Sequence, residues 1–349
     1  MPSIAPHGEA EITVPGLPST GLSAVTFFYE ARHDGPFFAA GHELGFDQIL
    51  LSQEAPALPA LSKEAVEVSQ CRRFVTVSGP KFKYQFSKST GLFREMCFEN
   101  KNILTRPMEW NVYRAPTDND QYVNPKWTEA GYDRPTVKVY SANGEACPEG
   151  GAVITCHLGI AALTVAPFVD VTATWTIDSE GRVDCQLEGR RDSRFPYLPR
   201  FGVRMFLPKA FQKAGYFGYG PFESYADKHR ASRLGVFHST VDRMVEHYLK
   251  PQENGSHYGC RWANVSTGRY TLIAEAPQGF SMNLSPYTQE ELAKKTHDHE
   301  LEPCGETVFC LDYKMSGVGS GSCGPQLMKK YQMNDEKFSF HFRLTPSCK

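Results

Sequence analysis

The sequence predicts an antiparallel, mostly β chain, and three observations carry that prediction. Apolar and polar residues alternate with period two over residues 81–87, 171–177 and 338–344, the pattern of strands with one buried face. Residues 171–177 turn at Asp178-Ser179-Glu180-Gly181 and return as residues 183–188, an antiparallel hairpin with a four- or five-residue loop. Alternating strand–helix units are missing, as are a GxGxxG between strand and helix, a phosphate loop and a GxSxG elbow. That excludes TIM barrels, dinucleotide folds and most nucleophile-elbow hydrolases.

In chain order, residues 1–54 offer three strand candidates: Glu11-Ile12-Thr13-Val14, residues 22–29 and residues 46–51. An immunoglobulin-like sandwich needs about seven strands, so this segment reads as half of one. Strands without sheet partners leave exposed edges, and the segment is expected to be mobile or packed on a second copy. Residues 55–70, beginning Ala55-Pro56-Ala57-Leu58-Pro59-Ala60-Leu61, turn Ala/Pro-rich and aperiodic and read as a linker. A large β domain is expected over residues 71–349. One helix is predicted, at Thr288-Gln289-Glu290-Glu291-Leu292-Ala293-Lys294, where Thr288 and Glu291 have capping-box spacing. His341, on the cleanly alternating last strand, is expected to be an outward-facing partner.

Composition narrows the function. With 349 residues the chain buries a sizeable core, and a net charge of −2 offers no basic surface for nucleic acid. No run of 18 apolar residues occurs and the first residues lack a leader pattern, so a cytoplasmic protein without a membrane partner is expected. Ten scattered cysteines without a CxxC read as reduced thiols. His297-Asp298-His299 lacks further ligands at recognisable spacing, so no metal is expected on this chain.

Four polar stretches concentrate the chemistry. Gly218-Tyr219-Gly220-Pro221-Phe222-Glu223-Ser224-Tyr225-Ala226-Asp227-Lys228-His229-Arg230 combines turn formers with carboxylates, aromatic rings and cations, a set that suits sugar hydroxyls and sugar C–H faces. Tyr113-Arg114-Ala115-Pro116-Thr117-Asp118-Asn119-Asp120 is rich in acceptors. Leu198-Pro199-Arg200-Phe201-Gly202-Val203-Arg204 sets Arg200 beside a Pro-Phe-Gly kink. Tyr248-Leu249-Lys250-Pro251-Gln252-Glu253-Asn254-Gly255, with Arg261-Trp262 following, pairs carboxylate and amide with an aromatic platform.

In order, Arg114-Ala115-Pro116-Thr117-Asp118-Asn119-Asp120, Gly218 to Asp227, Pro251-Gln252-Glu253-Asn254-Gly255, Ser285-Pro286-Tyr287-Thr288 with His297, and Gly317-Val318-Gly319-Ser320 closely resemble the C-terminal domain of bacterial family 2 β-galactosidases. In some of these enzymes it is a separate small chain. The resemblance spans about residues 71–346 and extends to the half-sandwich before it. It implies a large β supersandwich, galactose mutarotase-like, at the mouth of an active site whose two glutamates lie on an upstream TIM barrel absent here. Retaining hydrolysis needs two carboxyl groups roughly 5 Å apart, and on this resemblance Glu223 and Glu253 are pocket-lining acceptors or loop braces, not that pair.

The resemblance further implies that Arg114, Asp118, Asn119 and Asp120 form a mobile active-site loop. Arg200, Glu223, Tyr225, Asp227, Glu253, Asn254, Arg261, Trp262 and His297 are the expected substrate-binding residues. Metal ions of the family are expected mainly on the catalytic domain. The implied partners are that catalytic chain, a galactoside such as lactose, and further copies in an oligomer. Known members carry a Trp near the C-terminus as a sugar platform, and residues 338–344 have none. Two rival readings stand beside this one. One is an aldose 1-epimerase-like enzyme using Glu223 or Glu253 with His229 or His297; the other is a non-catalytic galactoside-binding module.

Overall fold

The computed structural model describes residues 4–18, 21–53 and 57–349. The chain divides into two compact units, Met1–Leu58 and Pro59–Lys349. Among the described residues the first unit holds one antiparallel pair, β1 (Leu22–Glu30) and β2 (Glu43–Gln53). Those are two of the three predicted strands. The third candidate, Glu11-Ile12-Thr13-Val14, is exposed irregular chain, since a strand exists only where a ladder partner is available and β1 and β2 take each other.

The second unit opens with β3 (Glu67–Gln70), β4 (Phe74–Ser78), β5 (Phe82–Ser87), β6 (Leu92–Phe98) and β7 (Lys101–Asn102), a five-stranded antiparallel meander. The linker reading is corrected at its end: Glu67 to Gln70 pair with β4. Just before them, the Ser62 N–H donates to Asp178 at 3.0 Å, so this Ala/Pro-rich chain is packed on the domain. Residues 55 and 56 lie outside the described residues.

Then follow β8 (Glu109–Asn111), α1 (Asn124–Ala130), β9 (Thr136–Ala146), β10 (Ala152–Ala161), β11 (Val169–Ile177), β12 (Val183–Arg191), β13 (Arg200–Pro208), β14 (Lys213–Gly220), β15 (Arg233–Thr240), β16 (Ser256–Ser266), β17 (Tyr270–Ser285), α2 (Gln289–Lys294), β18 (Glu306–Met315) and β19 (Lys337–Cys348). Twelve of these strands make one antiparallel sheet whose main path runs β15-β14-β16-β17-β19-β12-β11-β10-β9, with β18, β13 and β8 branching from β17. The predicted hairpin is β11–β12, in register from Val169↔Arg191 to Ile177↔Val183.

The two sheets meet through aromatic rings that the alternation sends inward. Trp175 of β11 is fully buried and meets Phe86, Phe93 and Phe342 edge-on, at centroid distances of 6.2, 5.3 and 5.8 Å. Each such side chain contributes about 1.5–3 kcal/mol by burial alone, with edge-to-face contacts adding about 0.5–1.5 kcal/mol. Thr288 caps α2 by accepting from the Glu291 N–H at 3.2 Å, as predicted. Helix α1 carries no side-chain cap, which is why its start was not legible. His341 sits on the outer side of β19 and meets Asp184 at 2.7 Å.

Strand β13 corrects the reading of residues 198–204 as a kinked loop. From Arg200 onward it is continuous strand, buried on both faces between β8 and β18. Period two puts Arg200, Gly202 and Arg204 on one face. Gly202 is needed there, because a side chain would run into the Leu311 carbonyl and the Asp312 carboxylate.

Candidate functional site

Four connections converge: the stretch after β8, the β14–β15 loop, the run before β16, and the long β18–β19 loop. The first of them is held by Arg114, which is fully buried. Its guanidinium donates to Asp120 at 2.7 Å, to the Gly317 carbonyl at 3.0 Å and to the Ser316 carbonyl, and it lies 5.3 Å from the Trp127 ring. Asp120 in turn accepts from the Thr117 N–H at 2.9 Å, shaping a 3₁₀ turn over Asp118–Asp120. Asn119 donates to the Val318 carbonyl at 2.5 Å. Asp118 faces outward and meets Lys250 at 3.0 Å.

Asp227, from the β14–β15 loop, grips the same β18–β19 segment from the other side. It accepts from the N–H groups of Val318 at 3.0 Å and Gly319 at 2.8 Å. Glu223 closes the loop beneath: it accepts from Lys228 at 2.5 Å, from the Gly255 N–H at 2.9 Å and from the Tyr248 hydroxyl. Tyr225 is buried against Met315 and Val318.

Under these loops runs a buried polar chain. Arg200 donates to Glu253 at 3.2 Å and through Nε to Asp312 at 3.1 Å, with a second, Nη2 contact to Asp312. Asp312 also accepts from Asn111 at 2.9 Å, and Gln289 links Asn111 at 3.1 Å to Arg204 at 2.7 Å. Burial pushes the carboxyls of Glu253 and Asp312 above the ordinary range, with Arg200 pulling both back. Burial opposes the charge of Arg200, yet Asp312 and Glu253 hold its pKa above normal. The Glu253 N–H donates to the Ala115 carbonyl at 3.1 Å, so this chain also fixes the Arg114 loop.

The other expected residues have separate places. Asn254 is buried, accepting from the Glu246 N–H at 3.0 Å and donating to the Gln252 carbonyl at 2.9 Å. Arg261 and Trp262 stand on β16, where Arg261 donates to the Pro277 carbonyl and Trp262 lies in register between Phe217 and Glu275. His297 is exposed, stacked on His299 at 5.4 Å and bonded to Thr296 at 3.0 Å. His229 packs against Tyr219 and Tyr258 and bonds the Tyr225 carbonyl at 2.9 Å. The structure thus brings together Arg114, Asp120, Asn119, Asp227 and the 316–319 backbone, with Glu223, Glu253 and Arg200 bracing them. It does not join His297, Arg261 or Trp262 to that cluster.

Beside the Arg114 turn lies a cavity of about 800 Å³, walled by α1, residues 194–197 and the β18–β19 loop. Asn119 and Asp120 are the expected residues that reach it; Tyr122, Tyr197, Gln326 and Gln332 line it as well. Sequence reasoning missed these four and also Asp312. A signal for Asp312 exists: a lone acid in the apolar run Phe309-Cys310-Leu311-Asp312 must find a cation when buried.

A family model described as "Beta galactosidase small chain" matches residues 78–344. The β-galactosidase of Actinobacillus pleuropneumoniae is 38% identical over 346 residues, covering 98% of this chain and 34% of that protein. The β-galactosidase of Staphylococcus xylosus is 33% identical over 328 residues, covering 93% of this chain and 33% of that protein. The chain therefore spans about a third of the length of these relatives. Among solved structures, galactose 1-epimerase from Lactobacillus acidophilus NCFM aligns with a TM-score of 0.43 at 9% identity, over 83% of this chain and 99% of that one.

Proposed function

Since this chain belongs to the β-galactosidase small-chain family, we propose that it is a non-catalytic, required part of a family 2 glycoside hydrolase. It acts as the small subunit or C-terminal part of a β-galactosidase that cleaves terminal non-reducing β-D-galactosides such as lactose. Its task is to complete the rim of the active site and the assembly, while a barrel-bearing partner supplies the acid/base and nucleophile carboxylates. One observation carries this reading: Glu223 and Glu253 are both engaged by structural donors, Lys228, Tyr248 and the Gly255 N–H for one and Arg200 for the other. Glu223, with three donors, braces a loop, and Glu253 is buried beneath the loops with one oxygen on Arg200 and the other without a partner among the described residues, so neither is well placed to take a proton from a substrate.

The same engagement weighs against an epimerase, whose base would have to be one of these two groups. A polarimetric mutarotation assay on galactose checks it, with no rate above buffer expected. All ten cysteines are free, which suits a reducing, cytoplasmic setting. Light scattering of the chain mixed with a barrel-containing large chain tests the partnership. One heavier complex is expected, and two species eluting independently would contradict the reading.

A further inference from the structure

We propose that the cavity between β8 and α2 is a binding site for a small organic ammonium ion, one positive charge carried on a compact apolar body. The cavity measures about 330 Å³ and shares no lining residue with the one beside α1. Its walls come from the β5–β6 turn, from β8 and the two residues after it, from residues 133–137, from Arg204 and from the start of α2. That volume is at the low end of small-molecule sites, which run from roughly 300 to 1,000 Å³. A bare metal ion would leave most of it unfilled, and among the described residues no three His, Cys, Asp or Glu side chains gather to hold one.

Charge selects the ligand. Arg204 is shared by two carboxylates, Glu109 at 3.1 Å and Glu290 at 2.9 Å. Arg106 is shared by Glu109 at 3.8 Å and Glu306 at 3.0 Å, while Asp133 has Arg134 at 2.8 Å. Three guanidiniums thus meet four carboxylates, and one negative charge is left over on this wall. Tyr113 senses that surplus. Burial first, then Asp133, Glu290 and Asp120, push its phenol up to about 12, with no cation pulling it back. The hydroxyl keeps its proton and offers its oxygen as an acceptor. An anion is repelled by such a wall, and a single positive charge is drawn in.

The rest of the lining suits both the N–H groups and the apolar body. Trp110 holds its ring by donating to the Thr90 carbonyl at 2.9 Å, and it packs against Phe201 at a centroid distance of 6.2 Å. A ring fixed in this way, with Tyr113 on the same cavity, offers a cation an aromatic face. Leu92, Pro135 and Val137 supply apolar wall for the carbon body. Thr90 lines the same cavity and carries a buried hydroxyl with no hydrogen-bond partner among the described residues. A buried polar atom left unpaired costs free energy, and an ammonium N–H supplies the partner.

The inference goes beyond the small-chain reading and does not depend on it. The chain is titrated by calorimetry, at neutral pH and constant ionic strength, with benzylammonium, benzyl alcohol and benzoate, which keep one shape and change the charge. Saturable binding on the order of millimolar is expected for benzylammonium. Benzyl alcohol should bind at least about tenfold more weakly, and benzoate not at all. Glu290→Gln and Asp133→Asn each remove a carboxylate from the wall and should weaken benzylammonium binding about threefold or more. Glu290 also bonds Arg204, so melting temperatures are read alongside. Asp133 pairs with the exposed Arg134, and its variant decides the matter should Glu290→Gln loosen α2. Glu180→Gln, exposed outside the cavity, should leave binding as it is. Equal binding of benzyl alcohol, absence of saturable binding, or binding indifferent to both wall variants overturns the proposal.

Discussion

Asp227 occupies the space that a side chain at Gly317 would need: a Cβ built on Gly317 runs into the Asp227 carboxyl group. The same carboxylate accepts from the next two backbone N–H groups. Gly317 and Asp227 are thus two halves of one latch, joining the β14–β15 loop to the β18–β19 loop. Gly317→Ala is expected to cost about 1–3 kcal/mol in urea denaturation. In a Gly317→Ala/Asp227→Ala double variant the two losses should fall short of additive, because each substitution breaks the same contact. Strict additivity would mean the loops are held by something else.

The buried Arg200 should matter more. Arg200→Ala leaves Glu253 and Asp312 without their cation, and a loss of about 3–5 kcal/mol is expected, read by equilibrium unfolding. Pairing Arg200→Met with Glu253→Gln and Asp312→Asn removes the stranded charges and should recover most of it. A single variant as stable as the parent would contradict the account of the brace.

Arg114 holds its turn by a planar fork aimed at a carboxylate and two carbonyls, a geometry an ammonium does not reproduce. Arg114→Lys is expected to lower the melting temperature and, in a complex with a large chain, to cut galactoside hydrolysis by about tenfold or more. Full activity from that complex would remove the loop from the proposed rim.

His257 gives a pH signature. Burial lowers its pKa from 6.5 to about 4, with the Tyr219 carbonyl partly opposing the shift. The folded state therefore keeps the ring neutral where the unfolded state takes a proton. Its contribution to stability is complete above pH 6.5 and is lost as pH falls through about 4. An NMR titration of the imidazole should find its midpoint near 4, and a normal midpoint would show the ring to be hydrated.

The strands were legible where one face is buried and the other wet, as in Phe82, Tyr84 and Phe86 against Lys83, or Val171 and Ala173 against Thr172. β13 was not, because burial on both faces erases the alternation and Leu198-Pro199-Arg200 suggests a turn. The polar motifs singled out Arg114, Asp120, Glu223, Asp227 and Glu253, which the structure places on the connections between strands, bonded to neighbouring chain. What sequence could not give is the direction of each side chain. Asp227 turns to backbone N–H groups and Glu223 to Lys228 and Tyr248, while Asp312, the acid that completes the Arg200 brace, sits in a stretch that reads only as core. The cavity was illegible for another reason: its walls come from segments near residues 120, 195 and 326, far apart in the chain and without a shared motif.

The most direct measurement is hydrolysis of a chromogenic β-galactoside by this chain alone and after mixing with a barrel-containing large chain. The account predicts no turnover by the chain alone and turnover in the mixture well above that of the large chain by itself. Turnover by this chain alone would contradict it, since two of its own carboxylates would then have to perform the chemistry assigned to the partner.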